Sequence, residues 1–279
     1  MVKSMKRLLA RLKNLIQLFI SLLFSPFRLL KWLCLSLGLV VILISLGFGA
    51  YLVGFHRSLP TGGQLAFNNL KTLAQKRVLS KRENKNLHLK WVPLKDISRD
   101  SIYAIVTSED SNFFEHGGVD FDAVIDSLAE NLRKRKYEYG ASTISQQVVK
   151  NLFLTSEKSV IRKVKEILIT ERIENARSKN EILEVYLNIA EFGRDLFGIA
   201  EASRFYFKKS PAKLNAAEAS FLAILLPSPR KFQYAIFENK NLTPAKKRKI
   251  RRILGDMLAQ EYISLKQYRH YSNYPYFTK

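Results

Sequence analysis

Hydrophobic and polar positions divide this chain into one long uncharged run and a series of shorter stretches with helical spacing. The run is WLCLSLGLVVILISLGFGAYLVGF, Trp32–Phe55, 24 residues with no charge between Lys31 and His56. At about 1.5 Å per residue it spans a hydrocarbon core of roughly 30 Å. Trp32 and Tyr51 lie near its ends, where amphipathic rings favour the headgroup level. The pattern predicts a transmembrane helix over 32–55. A cleaved signal peptide would have a shorter apolar core, an earlier start and a small-residue cleavage site soon afterwards, and the run fits none of these. Residues 5–24 set leucines and Phe19 beside Lys6, Arg7, Arg11 and Lys13, as in an interfacial amphipathic helix. Residues 1–31 hold seven basic residues and no acid, so the positive-inside rule places that segment in the cytoplasm and everything after Phe55 outside the membrane.

Residues 56–90 are polar and basic and read as a linker or stalk. From Trp91 apolar residues recur at helical spacing in Ile97–Thr107, Phe121–Leu132, Val160–Asn175, Glu181–Asn188, Leu196–Phe207 and Ala216–Leu226. Ser178-x-x-Glu181 and Asn215-x-x-Glu218 are capping-box patterns, and Leu226-Pro227-Ser228-Pro229 stops the last of these helices. A further basic helix fits 244–260, and 261–279 is a Tyr-rich tail. Period-2 alternation is scarce. The expectation is a mainly α protein: one N-terminal transmembrane helix, then a helical domain over 91–260.

Charge sharpens the picture. The chain carries 46 Lys+Arg against 24 Asp+Glu, a formal net charge of +22, which asks for an anionic partner. Removing the seven bases of the cytoplasmic end leaves about +15 outside the membrane. Intracellular nucleic acid is then a poor candidate, and no nucleic-acid-binding motif supports it. The single cysteine, Cys34, excludes an internal disulfide framework and a Cys-cluster zinc site.

Three constellations carry candidate chemistry. The first runs Glu109-Asp110-Ser111-Asn112-Phe113-Phe114-Glu115-His116-Gly117-Gly118 and closes an apolar helix with acids, aromatics and paired glycines. A partly desolvated carboxylate there has a raised pKa and suits proton transfer; the plainer alternative is a solvated helix end with turn glycines. Acids at a helix C-terminus oppose the dipole, so they ask for a reason. The second runs from Gly140 to Asn151, where Ser142, Thr143, Gln146, Gln147 and Lys150 form a dense donor supply for phosphate or sugar oxygens. A polar helix start accounts for Ser142 and Thr143 but not for the paired glutamines. The third is Arg162-Lys163-Val164-Lys165-Glu166. On a helix Glu166 lies one turn from Arg162 and Lys163, with Ile161, Val164 and Leu168 as the expected buried stripe. Structural salt bridges compete here with a cationic cradle for pyrophosphate.

Glu109, GASTISQQ and RKVKE in this order and spacing resemble the family 51 glycosyltransferases, the peptidoglycan glycosyltransferases. KNEILEVYLNIAEFG (Lys179–Gly193), Gly198-x-x-x-Ala202-x-x-x-Tyr206-Phe207-x-Lys209 and LNAAEASFLAILLPSP agree with two further blocks of that family. The resemblance covers Trp91 to Pro229 and is strongest to the monofunctional biosynthetic members from Gram-negative bacteria. Ser210-x-x-Lys213 and Ser228-x-x-Lys231 satisfy a trivial Ser-x-x-Lys pattern, but no Lys-Thr-Gly partner accompanies them, so no transpeptidase domain is expected.

The resemblance implies a lysozyme-like helical fold with a smaller membrane-facing lobe, and polymerisation of lipid II onto a lipid-linked nascent glycan. It makes Glu109 the general base and Glu166 the second carboxylate, organising the donor site. Ser142, Gln146, Gln147, Lys150, Lys158, Arg162, Lys163 and Lys165 match positions lining the donor cleft. The family usually has Arg-Ser where Lys158-Ser159 stands, and Lys lacks the bidentate fork. Asp110, Phe113, His116, Gly118, Gly140 and Asn188 match motif positions with structural roles. The resemblance also leaves room for a divalent cation, Mg or Mn. It implies membrane lipids and proteins of cell division or wall synthesis as partners, and a bacterial inner-membrane location with the catalytic domain periplasmic. A lysozyme-like hydrolase and an inactive lipid II-binding scaffold are the alternatives. Paired glutamines and Arg-Lys-x-x-Glu speak against the first, since hydrolysis of finished glycan needs no pyrophosphate cradle; the presence of both carboxylates speaks against the second.

Overall fold

The computed structural model describes residues 2–83, 89–135, 140–155, 157 and 159–277. It separates into two compact units, Met1–Leu59 and Pro60–Lys279. The first is one helix, α1 (Val2–Arg57). Within it Leu29–Arg57, 29 residues whose most apolar 18-residue window has a mean hydropathy of 2.5, is long and apolar enough to cross a membrane and encloses the predicted 32–55 span. The basic amphipathic segment and the span, separate in the sequence pattern, are one uninterrupted helix.

The second unit is mainly helical, as the spacing predicts. Its elements are α2 (Phe67–Lys81), α3 (Arg99–Glu109), α4 (Phe121–Lys134), α5 (Ile144–Phe153), α6 (Val160–Ala176) and α7 (Lys179–Ile189). Then come the strands β1 (Glu191–Gly193) and β2 (Leu196–Phe197), followed by α8 (Ile199–Phe207), α9 (Ala216–Leu225), α10 (Pro229–Phe232), α11 (Pro244–Ala259) and α12 (Leu265–Tyr271). Both expected capping boxes form: Ser178 with Glu181 starts α7, and Asn215 with Glu218 starts α9. Two helices make the centre. Every residue of α9 is buried, and it packs on α3 and α11; α7 buries Ile182, Leu183 and the run from Val185 to Ile189, and packs on α5 and α2. A helix apolar all round belongs in the interior. The antiparallel pair β1–β2 interrupts the predicted Leu196–Phe207 helix, because Gly198 takes φ +79° with its Cα against the Asn188 carbonyl, where any Cβ would lie 2.7 Å from that oxygen.

Three expectations change. Residues 67–81, within the 56–90 stretch expected to be a linker or stalk, form a docked helix instead: Leu70, Ala74 and Val78, one turn apart, form a buried stripe that docks α2 on α5 and α7. Arg82, 1% exposed, pairs with Glu201 at 2.5 Å, and Arg77 Nε donates to the Leu152 carbonyl at 2.7 Å. The residues after 260 are not a separate tail, because α12 packs on α11 and the segment beyond it packs on α9. Tyr276 stacks on Phe221 and donates to the Ala217 carbonyl, while Tyr274 donates to Glu218 at 2.6 Å.

The third change concerns α6. Ile161 and Val164, expected inside, are exposed, and Glu166, Ile169, Thr170 and Ile173 are buried instead. An apolar face of α4, with Phe121, Ile125, Leu128 and Leu132, is likewise exposed. Large apolar surfaces left open on a folded unit mark contacts with something other than water.

Candidate active site

Helix α3 begins at Ser98, whose hydroxyl accepts the Ser101 N–H, and buries Ala104, Ile105 and Val106. Its last residue is Glu109. The chain then leaves the helix at Asp110, a buried acid whose Oδ2 accepts the Ile144 N–H at 2.9 Å. That bond ties the end of α3 to the start of α5. Helix α5 opens with a capping box between Thr143 and Gln146, and the Thr143 hydroxyl also donates to the Gly118 carbonyl at 2.5 Å. Two segments distant in sequence are thereby joined at two points. One position further on, Gln147 Nε2 donates to Glu109 Oε2 at 3.0 Å.

Glu109 borders a cavity of about 1040 Å³. Ser111, Gly140, Ser142 and Gln147 form one wall beside it, and Arg248, Lys249, Arg252 and Asp256 of α11 form the other. A smaller recess of about 170 Å³ shares Thr107, Ser108, Glu109 and Ser142 and extends to Asp120 and Thr143. The hydroxyls of Thr107 and Ser108 are buried and have no protein partner among the described residues, although both residues line the recess. Burial pushes the Glu109 carboxyl above its ordinary value; the Gln147 hydrogen bond and the Lys249 charge oppose this, and the neighbouring Asp110 adds to it. Asp110 is raised as well, first by burial, against the Ile144 N–H and His116.

The expected motif-shaping residues sit around this corner. His116 Nδ1 accepts the Gly118 N–H at 3.0 Å, which leaves the proton on Nε2 to donate to Asp110 Oδ1 at 2.9 Å. Phe113 is fully buried, and Lys179 Nζ lies over its ring while donating to the His116 carbonyl and to Glu174. Gly118 has φ +99°, and a Cβ there would lie 2.8 Å from Thr170 Cγ2 and Glu174 Cγ. Asn188, fully buried, holds the Val92 backbone by both amide and carbonyl.

Asp110, His116 and Asp120 offer ligand atoms within 4.8 Å of one another. They fit a divalent cation poorly, because each ring nitrogen of His116 is committed to a protein hydrogen bond. Asp120 accepts the Ala123 N–H and the Asn112 amide.

The structure divides the remaining sequence candidates. Ser142 and Gln147 stand with Glu109 in the cavity wall, and Gly140 opens the loop beside them. Gln146 does not: it is 2% exposed, and its Oε1 accepts the Thr143 N–H within the capping box. Its type suits a cap as well as it suits a ligand, and the cap claims it. Glu166 is 3% exposed and is held by Lys163 Nζ and by Arg162 at 3.5 Å. It forms with these cations a cluster on α6, and neither they nor Lys150 and Lys165 belong to the described lining beside Glu109. Lys158 lies outside the described residues.

Sequence reasoning missed the basic wall. The spacing of Arg248, Lys249 and Arg252 on one face of α11 was its signal, hidden inside a run of basic residues that reads as a solvated face. It also missed Tyr186, whose hydroxyl lies behind Gln147.

A half-buried carboxylate with a raised pKa, lining a large cleft together with cations in a helical domain, suits a glycosyl-transferring class of site. Accordingly, residues 75–258 match the Transglycosylase family, and the chain belongs to it. With that membership comes the helical, lysozyme-like fold expected of the domain. The chain is 41% identical over 207 residues to the biosynthetic peptidoglycan transglycosylase of Herminiimonas arsenicoxydans, covering 73% of this chain and 86% of that one. It is 40% identical over 203 residues to that of Janthinobacterium sp. (strain Marseille), with coverage of 73% and 86%. To that of Pasteurella multocida (strain Pm70) it is 43% identical over 180 residues, with coverage of 64% and 71%.

Proposed function

We propose that the chain is a peptidoglycan glycosyltransferase of cell wall biosynthesis that polymerises lipid II. The observation that carries this reading is Glu109: a carboxylate of raised pKa, hydrogen-bonded by Gln147, facing Arg248, Lys249 and Arg252 across a cavity large enough for a disaccharide phosphate. In the reaction the 4-hydroxyl of the acceptor GlcNAc attacks C1 of the donor MurNAc. Glu109 takes the hydroxyl proton as the new C–O bond forms. The bond from C1 to the phosphate oxygen breaks on the opposite face, undecaprenyl pyrophosphate leaves, and the configuration inverts to β-1,4. Desolvation suits Glu109 to this work, because a carboxylate with a raised pKa is the stronger base.

Cations along the cleft meet the charge of the lipid pyrophosphates. Ser142 and Ser111, which line the cavity and the recess beside Glu109, suit sugar oxygens. Glu166, held between Lys163 and Arg162, takes the part of the second carboxylate that organises the donor cations, with Lys150, Lys158 and Lys165 adding charge. Helix α1 anchors the protein in the bacterial inner membrane with residues 1–31 cytoplasmic and the second unit periplasmic. The exposed apolar faces of α4 and α6 supply the membrane-facing lobe, through which a lipid-linked substrate reaches the cleft without leaving the bilayer. Partners drawn from cell-division and wall-synthesis proteins accord with that placement.

The test is full-length protein in detergent given labelled lipid II in one arm and purified sacculi in the other. Polymer from lipid II with no fragments from sacculi supports the polymerase; fragments from sacculi with no polymer would make the protein a hydrolase, and neither product would make it a scaffold.

A further inference from the structure

We propose that Tyr186 is a positioning residue for the Glu109 carboxylate, acting through the side-chain amide of Gln147; this rests on Glu109 being the base. Three helices contribute to the arrangement. The Tyr186 hydroxyl of α7 lies 3.5 Å from Gln147 Oε1 of α5, and Gln147 Nε2 lies 3.0 Å from Glu109 Oε2 at the end of α3. Tyr186 is 1% exposed, and Gln147 Oε1 is the hydrogen-bond acceptor its hydroxyl reaches among the described residues.

Polarity makes the chain of bonds more than packing. An amide side chain has a donor end and an acceptor end of nearly equal shape, so something must choose which end meets Glu109. An ionised carboxylate accepts only. Tyr186 remains a neutral phenol, because burial and then the nearby charges of Glu109 and Asp110 push its ionisation well upward. A phenol held protonated donates to Gln147 Oε1, and the amide then has to turn its N–H₂ towards Glu109. The reverse orientation would set carbonyl against carboxylate and leave the phenol proton without an acceptor in the interior. Tyr186 thus selects the orientation in which Gln147 favours the ionised base and holds one carboxylate oxygen still. The other, Oε1, accepts no hydrogen bond among the described residues and is left for the substrate proton.

The charged and titratable groups around Glu109 are Asp110 at the end of its own helix, Tyr186 from α7 and Lys249 from α11. Arg248, Arg252 and Asp256 stand on the same α11 wall. Lys249 favours the ionised form as Gln147 does, while Asp110 opposes it. Loss of the amide donor should therefore move the carboxyl upward and not abolish the site.

The experiment uses full-length protein in detergent micelles with Tyr186→Phe, Gln147→Met and the double variant. Two quantities are read: the pH dependence of kcat/KM for lipid II polymerisation, and the carbon-13 titration of the Glu109 carboxyl, assigned by its loss in Glu109→Gln. Gln147→Met is expected to move the acid limb and the titration upward by about one pH unit, the scale of one hydrogen bond to a charged group. Tyr186→Phe should move both the same way by a smaller amount, with the rate recovered at high pH. The double variant should move no further than Gln147→Met alone, since the phenol acts only through the amide. An unshifted titration in Tyr186→Phe, or shifts that add in the double variant, would overturn the proposal. If the titrations shift as expected while the rate profiles stay fixed, the positioning role stands and Glu109 is not the base.

Discussion

The Asp110 carboxylate accepts the Ile144 backbone N–H at 2.9 Å, and this single bond sets the end of helix α3 against the start of helix α5. Glu109 and Gln147, each next to or near one of the two partners, meet because of it. The second oxygen of Asp110 is met by His116 Nε2–H, whose tautomer is fixed by the Gly118 N–H. Asp110→Asn is therefore not a mild change. Its amide can accept from Ile144 only by turning N–H₂ against a ring nitrogen that already carries a proton. We expect Asp110→Asn to lower stability by about 1–3 kcal/mol, the cost of a buried polar group left unsatisfied, and polymerisation to fall with it. Thermal melts of the full-length protein check this; an unchanged melt would show that the Asp110 network contributes little.

Glu109 sets activity against stability. Its folded pKa is raised by burial, so the charged form is the disfavoured one and folding stability declines as pH rises through the interval from the ordinary value of 4.5 to the folded value. Glu109→Gln removes that decline. The variant should melt higher than the wild type at neutral pH, with the gain vanishing as pH drops below about 4.5. A melt series from pH 4 to 8 is the measurement, and a variant less stable at neutral pH would show that the ionised group is well solvated or well paired after all.

The α11 wall should act on substrate affinity. Arg248 and Arg252 are exposed, and their truncation costs little packing. A charge-assisted hydrogen bond to phosphate contributes about 1.5–3 kcal/mol, or roughly 10–100-fold in kcat/KM. Arg248→Ala and Arg252→Ala are each expected to lose that much, mainly through KM, with little change in melting temperature. Steady-state kinetics over a range of lipid II concentrations decide it; a fall in kcat alone would place these residues in the chemical step.

Gly118 tests the backbone of the corner. Its φ of +99° and the 2.8 Å approach that a Cβ would make to Thr170 and Glu174 both act against any side chain. Gly118→Ala should destabilise by about 1–3 kcal/mol and displace the Thr143 hydroxyl from the Gly118 carbonyl. Equilibrium melts and activity measured together check the two consequences.

What the sequence revealed follows from the range of the forces involved. Ser178 with Glu181 and Asn215 with Glu218 are local, three residues apart, and their capping boxes could be read directly. The uncharged run of α1 was legible for the same reason. The stripe of Leu70, Ala74 and Val78 was not, because Lys71, Gln75, Lys76 and Arg77 between its members lower the average hydrophobicity below that of a core helix. On α6 the apolar residues Ile161 and Val164 were assigned to the interior by the usual rule, whereas the fold turns Glu166, Ile169, Thr170 and Ile173 inward and leaves those two exposed. Gln146 and Gln147 looked alike in the chain, yet a 100° step around the helix sends one into a cap and the other onto Glu109. The basic wall of α11 reaches the cavity only through its packing on α3 and α9, a tertiary fact with no local signature.

The central claim is that Glu109 removes the acceptor proton, and one measurement addresses it most directly: the rate of polymer formation from lipid II by Glu109→Gln beside the wild type, at matched protein and near-neutral pH. The account predicts polymer from the wild type and essentially none from a folded Glu109→Gln. Polymer at an undiminished rate from the variant would contradict it.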